Sequence, residues 1–405
     1  VCGPARAALQ TGKYPTEVGC HRNHQHLPAD CDTLAKQMRA AGYRTGYIGK
    51  WHLASGANPL VPDENPDCRW TPVPPHLRGG YDDWLASDVL EFTSHGYDGH
   101  MFDGEGCKRK FPEGRYRVDA QTDWVLDYLD ERPTDEPFFL FVSYIEPHHQ
   151  NDHDCYEGPD GSRERWGNYE VPGDLVGHDG NWEENYPDYL GCCNALDGAV
   201  GRIRAKLAEK GIADDTVVIY TSDHGSHFRT RHSECKRGCH EACLRIPMIA
   251  CGPGFAGGSV YEGLTSLMDI PRTLLKAAGA DIPADWQGIS LQDQLAGTQA
   301  HDEVFAQISE AETGRCIRTH RWKYSVRGVT ERVGDFVAPG AAVYHEEFLY
   351  DLEKDPHEQV NLVDCDQHAP VRAELARLVK KAMAEAHEPV PEILPATQWP
   401  QAEES

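Results

Sequence analysis

Basic residues are in short supply in this chain. Lysine and arginine number 39 against 65 aspartates and glutamates over 405 residues, a formal net charge of −26. That balance excludes the electrostatic footprint of a nucleic-acid-binding protein. It also means that any anionic ligand needs a local basic pocket set against the overall field. Long apolar runs are missing: none approaches the roughly 20 residues of a membrane helix, so no membrane partner is expected. No internal repeat is present. A Cys-x2-Cys knuckle is lacking as well. Cys235, Cys239 and Cys243 recur every four residues around His240, a ladder that does not suit a zinc site. The chain opens on Val1 rather than methionine. It reads as lacking its true N-terminus, which leaves a signal peptide neither seen nor excluded.

What is present is a hydrophobic fraction of 40%, enough for one large domain or one domain plus a satellite. The chain is organised around its first dozen residues. Pro4 suits a first helical turn, Ala5 to Gln10 are good helix formers, and Gly12 supplies the stop. Cys2 therefore lies at a helix N-terminus, where free N–H groups and the positive end of the dipole favour an anion. Arg6, one turn on, can fork onto the same anion. A cysteine in that field is a low-pKa nucleophile or the incidental cap of an ordinary helix; the local sequence leaves both open.

Further along, a helix over Thr33 to Ala41, capped by Asp32, precedes a strand over Arg44 to Ile48. This helix–strand rhythm indicates an α/β sheet, whose ligands gather at strand ends. Lys50 and His52 follow the first such strand. Residues 55 to 116, rich in Pro, Gly and Asp, read as long loops, and Asp82-Asp83 as loop or helix-start acids rather than a metal pair. A helix over Val118 to Leu129 leads to the apolar run Phe138 to Ile145, a strand expected to be covered on both faces. That strand delivers His148 and His149 to the same edge. After a long helix over Tyr186 to Lys210, the strand Thr216 to Tyr220 delivers Asp223 and His224, a carboxylate and an imidazole that suit a divalent cation. From about residue 300, short strands at hairpin spacing take over, followed by a helix over Val371 to His387.

Five of these blocks, in order, resemble the signatures of the formylglycine-dependent sulfatases of the alkaline phosphatase superfamily. They are Cys2-Gly3-Pro4-Ala5-Arg6 continued to Thr11-Gly12, Gly42 to His52, Pro147-His148, Thr221 to Gly225, and Lys236 to Pro247 with Glu241 and Arg245 inside. The resemblance implies an alkaline-phosphatase-like α/β sandwich with a central mixed, mostly parallel sheet over residues 1–298. A smaller α+β subdomain over 299–390 and a flexible tail over 391–405 would follow. It implies hydrolysis of a sulfate ester or sulfamate, with a saccharide as the expected substrate class. Cys2 would be oxidised to formylglycine by a formylglycine-generating or anaerobic sulfatase-maturating enzyme. Arg6, Lys50, His52, His148 and Lys236 would be catalytic, His149 and His240 substrate-binding, and Asp223 and His224 metal ligands. The family usually places Asn where His224 stands, so the metal is expected to be Ca²⁺ or a softer Mn²⁺. The family also places two further acidic ligands before the Cys2 signature, and residues 1–405 do not include them.

With Cys2 consumed, thirteen of the fourteen cysteines remain, an odd number that excludes a complete disulfide framework. Their scatter favours a reduced, cytoplasm-like setting over a periplasmic or secreted one. Two rival readings accompany the sulfatase reading. One is a phosphonate or phosphate ester hydrolase of the same superfamily; the other is a non-catalytic protein that binds sulfated glycans.

Overall fold

The computed structural model describes residues 1–255, 257–329 and 338–396. The first helix, α1 (Cys2–Thr11), ends at Gly12 in the left-handed region, whose N–H returns to Ala8 O. Helix α2 (Leu34–Ala40) is capped by Thr33, whose side chain accepts from Lys36 N, and not by Asp32. Thr33 holds the extended backbone that an N-cap requires, while Asp32 accepts from the Gln37 side chain.

Strand β1 (Arg44–Lys50) lies inside a five-stranded sheet with β2 (Asp83–Ser87), β3 (His100–Asp103), β4 (Lys108–Lys110) and β5 (Phe138–Ser143), in the order β4-β3-β2-β1-β5. β1 is parallel to both β2 and β5, whereas β2–β3 and β3–β4 are antiparallel. The sheet is therefore mixed, with parallel pairing only around β1. The expected long loop over 55–116 supplies three of its strands and the short helix α3 (Leu90–Thr93). Asp82 and Asp83 sit at its start: Asp82 accepts from Thr45 N, and Asp83 opens β2 and pairs with Arg44.

The sheet is packed on both faces. On one, Tyr47 is stacked between Trp84 and Phe141, with ring centroids 5.3 and 5.1 Å apart, in a core shared with α1 and α2. On the other, α4 (Arg117–Glu131) buries Trp124, Val125 and Leu129 against Ile48 and Leu85. Gly49 has φ 124°, and a Cβ there would lie 1.9 Å from Ser143 O. No other residue fits where the end of β1 closes on β5, and that closure aims Lys50.

After α5 (Ser162–Trp166) and the long α6 (Trp182–Glu209), β6 (Val218–Thr221) pairs antiparallel with β7 (Met248–Cys251) across α7 (Glu241–Leu244). β5 is the edge of its sheet, and both of its faces are covered as expected: Phe139 and Phe141 pack into the core with α1 and α2, and Phe138, Leu140 and Val142 against the core with α4. A cavity of about 830 Å³ runs from Cys2 between the β5 edge and β6.

Helices α8 (Asp269–Ala277) and α9 (Leu291–Leu295) lead to a second sheet of β8 (Glu303–Ile308), β9 (Gly314–Thr319), β10 (Trp322–Gly328) and β11 (Val343–Asp351). Helix α10 (Ala369–Glu385) buries Leu375, Val379 and Met383 against Ile317, Tyr324 and Val326. Beyond it, β12 (Glu392–Leu394) adds to β11 in parallel. That pairing corrects the expected flexible tail over 391–405 in its first residues, because backbone groups of Tyr344 and its neighbours find partners there. Residues 397–405 lie outside the described part.

Candidate active site

Cys2 occupies the first turn of α1 and is 1% exposed. Gly3 N donates to Asn23 Oδ1 at 2.8 Å, which fixes the helix start. Around the Cys2 sulfur stand three nitrogens: His224 Nε2 at 3.1 Å, Lys236 Nζ at 3.2 Å and Lys50 Nζ at 3.9 Å. Burial by itself would raise the thiol; Lys236, Lys50 and His224 outweigh it and hold Cys2 well below the ordinary cysteine range.

Arg6 is locked in place. Its Nη1 donates to Lys50 O and Ser143 Oγ, both at 2.7 Å, and its Nε pairs with Asp223 Oδ2 at 3.1 Å. Lys50 is paired with Glu91, Nζ to Oε2 at 2.9 Å, and both groups are buried. Burial would raise the Glu91 carboxyl, but Lys50, with His148 and His52, carries it far below its usual range. Lys236 Nζ donates to His148 Nε2 at 2.7 Å, and His148 Nδ1 lies 2.6 Å from His149 O. The carbonyl fixes the tautomer: Nδ1 carries the proton and Nε2 the lone pair. Burial first, then Lys236 and Lys50, lowers His148 to about 4, so the imidazole is neutral at pH 7. His148 therefore accepts in this pair, and the proton available to a leaving oxygen resides on Lys236.

Two ligand atoms converge beside the sulfur. His224 Nδ1 is 2.8 Å from Gly225 O, which leaves Nε2 as the ring nitrogen facing inward, 3.6 Å from Asp223 Oδ1. Cys2, Asp223 and His224 form a group whose ligand atoms all lie within 4.8 Å. A carboxylate oxygen and an inward-facing imidazole nitrogen fit a divalent cation as two of its ligands. His52 is buried, lines the same cavity, and neither of its ring nitrogens has a hydrogen-bond partner among the described residues. His149 also lines the cavity, its ring edge-on to Tyr156.

The fold thus brings Cys2, Arg6, Lys50, His52, His148, His149, Asp223, His224 and Lys236 to one cavity. His240 is not among them. It is the residue before α7, covered by Phe348 and Tyr350 of β11, with Nε2 3.2 Å from Tyr350 Oη. Burial, with Arg231 and Lys323 nearby, lowers it to about 2. The expected substrate-binding role of His240 is corrected on that ground: β11 closes it off from the cavity. Glu241 likewise turns toward the second sheet and pairs with Lys323 at 2.6 Å.

Sequence reading missed Glu91, Asn23 and Ser143. Ser143 had a usable signal, as the last residue of an apolar strand. Glu91 and Asn23 had none: Asn23 lies in an irregular segment, and Glu91 in the four-residue helix α3 inside a stretch that reads as loop. Glu310, in the turn between β8 and β9, accepts from Asn23 N at 2.7 Å and pairs with Arg237, so the second sheet braces the start of α1.

Replacing Glu91 by Gln leaves the buried Lys50 ammonium without its counter-charge. The expected cost is about 3–5 kcal/mol, read from the urea midpoint; an unchanged midpoint would show that Lys50 does not depend on the pair. Acid should loosen the same site in two windows. His148 is neutral in the fold and titrates normally once unfolded, so its share of stability is present above pH 6.5 and is lost as pH falls toward about 4. The depressed Glu91 carboxyl contributes above 4.5 and is lost below it. Urea midpoints at pH 7.5 and 5 should differ less in His148→Asn than in the parent protein.

The family signature described as Sulfatase matches residues 1–280, and that described as N-sulphoglucosamine sulphohydrolase, C-terminal, matches 234–385. The chain is 23% identical to an N-acetylglucosamine-6-O-sulfatase of Bacteroides thetaiotaomicron, over 94% of this chain and 77% of that protein. Its fold is shared with yidJ, a candidate sulfatase of Bacteroides fragilis (TM-score 0.78, 22% identity, 96% of this chain and 86% of the other). It is shared too with a protein solved in complex with its substrate D-glucosamine-2-N,6-O-disulfate (TM-score 0.72, 20% identity, 96% and 88%). With a buried cysteine at the start of α1, a basic cavity and a family match over the first 280 residues, the chain belongs to the sulfatase family, the hydrolases of sulfuric esters.

Proposed function

We propose that this sulfatase removes a sulfate group from a saccharide, using residue 2 as formylglycine. The observation that carries the reading is the Cys2 sulfur, buried at a helix N-terminus with His224, Lys236 and Lys50 within 4 Å. The sulfur marks where the reacting oxygen of the matured residue sits. Oxidation of Cys2 by a formylglycine-generating or anaerobic sulfatase-maturating enzyme gives an aldehyde whose hydrate offers one hydroxyl to attack sulfur and a second to expel sulfate. The local string Cys2-Gly3-Pro4-Ala5-Arg6 supports that partner. A saccharide substrate is supported by the sugar named for the B. thetaiotaomicron relative and by the sugar in the solved complex.

The side chains divide the labour. Arg6 and Lys50, both buried, and Lys236 gather the sulfate oxygens in the cavity, where preorganised charges act strongly on developing charge. Lys236 gives its proton to the departing ester oxygen, and His148 holds that ammonium in line through its Nε2 lone pair. His52, with neither ring nitrogen partnered among the described residues, takes the proton of the second hydroxyl. Asp223 and His224 would hold a divalent cation, Ca²⁺ or, given the imidazole, Mn²⁺, which when bound polarises sulfate oxygens.

The test is paired kinetics on the sulfate and phosphate esters of one aryl alcohol, together with a 6-O-sulfated glucosamine. The sulfate ester and the sugar should turn over, with kcat/KM for sulfate at least about tenfold above phosphate. Preference for the phosphate ester would transfer the site to the phosphoester reading. Binding of the sugar without turnover by matured protein would transfer it to the non-catalytic one.

A further inference from the structure

Outside the cavity at Cys2, one group of side chains among the described residues has the arrangement of a cation site. His95 follows α3, and Asp152 and His153 lie in the loop after β5. Each offers one ligand atom, and the three atoms lie within 4.8 Å of one another. His95 Nε2 is 2.9 Å from Asp152 Oδ2. The imidazoles of His95 and His153 are stacked, with centroids 4.2 Å apart and planes 10° from parallel.

The far nitrogen of each ring is already engaged by a carboxylate. His95 Nδ1 is 3.2 Å from Asp98 Oδ1, and His153 Nδ1 is 2.6 Å from Glu157 Oε1. Nε2 is thus the nitrogen each ring has to offer. A carboxylate behind the far nitrogen is the arrangement that fixes the tautomer and direction of metal-bound histidines. Asp152 is oriented as well: Gln150 Nε2 donates to Asp152 Oδ1 at 2.7 Å and to the main-chain carbonyl of Glu91 at 2.8 Å. Glu157 Oε2 accepts from Gly96 N at 2.7 Å, which joins the two segments a second time.

We propose that His95, Asp152 and His153 bind a divalent transition metal of the zinc class. Two imidazoles and one carboxylate are a donor set for zinc rather than for the all-oxygen cations, and the partly exposed ligands leave a fourth position to water. The ion replaces hydrogen bonds between two segments 57 residues apart with direct bonds to a common centre. One segment carries Glu91, the partner of Lys50, and the other carries His148, so the site staples the two walls of the cavity on their outer side. This assignment does not depend on the reaction catalysed inside.

The experiment is competition for Zn²⁺ between the full chain and a chromophoric chelator, with Co²⁺ as a spectroscopic probe. The parent protein should bind one equivalent that His95→Gln and His153→Gln each weaken by about tenfold or more. Asp98→Asn, which removes only the carboxylate behind His95, should weaken it by roughly tenfold. The titration uses unmatured protein, whose residue 2 is still cysteine, so ion bound instead at Cys2, Asp223 and His224 is told apart by its sulfur-to-cobalt charge-transfer band, which these variants should leave in place. Both histidines are partly exposed, so the variants should keep the parent circular dichroism. Zinc binding by either histidine variant with the parent's stoichiometry and affinity would overturn the proposal, as would loss only of the sulfur-linked band.

Discussion

Cys2→Ala should cost turnover on the order of 10⁵-fold or more, the scale on which loss of a covalent nucleophile is felt. The reason is chemical as well as positional. A thiolate at this position can attack sulfur, but the sulfated thiol has no neighbouring hydroxyl to expel sulfate, and the cycle stops after one event. Alanine removes the attack altogether. The fold should survive, since the substitution deletes one atom and keeps α1 intact, including its Ala5 N to Val1 O bond. Its stability effect should stay within the roughly 0.5–3 kcal/mol of ordinary single substitutions. Steady-state kinetics on an aryl sulfate and a urea titration check both halves. Residual turnover above about a hundredth of the parent rate would move the nucleophile elsewhere.

The second large effect concerns Lys236. Its ammonium lies 3.2 Å from the Cys2 sulfur and 2.7 Å from His148 Nε2. Burial opposes its charge, but Cys2 and Asp223 outweigh that and raise it above the ordinary lysine range, so it is protonated at pH 7. Lys236→Ala should lower kcat on the order of 10²–10⁴-fold for a saccharide or alkyl sulfate, whose leaving oxygen needs a proton. For a nitrophenyl sulfate, whose oxygen leaves as a stable anion, the loss should be much smaller. His148→Ala should share the leaving-group dependence at reduced size, because it orients the donor and does not supply the proton. An equal loss across leaving groups would reduce Lys236 to sulfate binding alone.

How far the sequence led can be judged residue by residue. Helix α1 was legible because proline, helix formers and a terminal glycine are local signals, and each of them acts in the fold. Strand ends were legible because apolar runs stop at polar residues, which placed Lys50, His148 and Asp223 on one edge. The loop-like segment 55–116 misled, since its strands are three to five residues long and embedded among prolines and glycines. Glu91 was lost with it, although it is the counter-charge that lets Lys50 stay buried. His240 failed for the opposite reason. It sits close in sequence to Lys236, but α7 turns it into the interface with β11, and no local signal records that turn. His148 was found as a residue, but its neutral state rests on burial and on Lys236 and Lys50, neighbours distant in sequence.

The most direct measurement is the chemical state of residue 2 in active full-length protein, made in a host that has a sulfatase-maturating enzyme. Peptide mass spectrometry should show sulfur lost and a carbonyl gained at position 2, in proportion to specific activity, and a hydrazide probe should label that peptide alone. Fully active protein whose residue 2 is an unmodified cysteine would contradict the account.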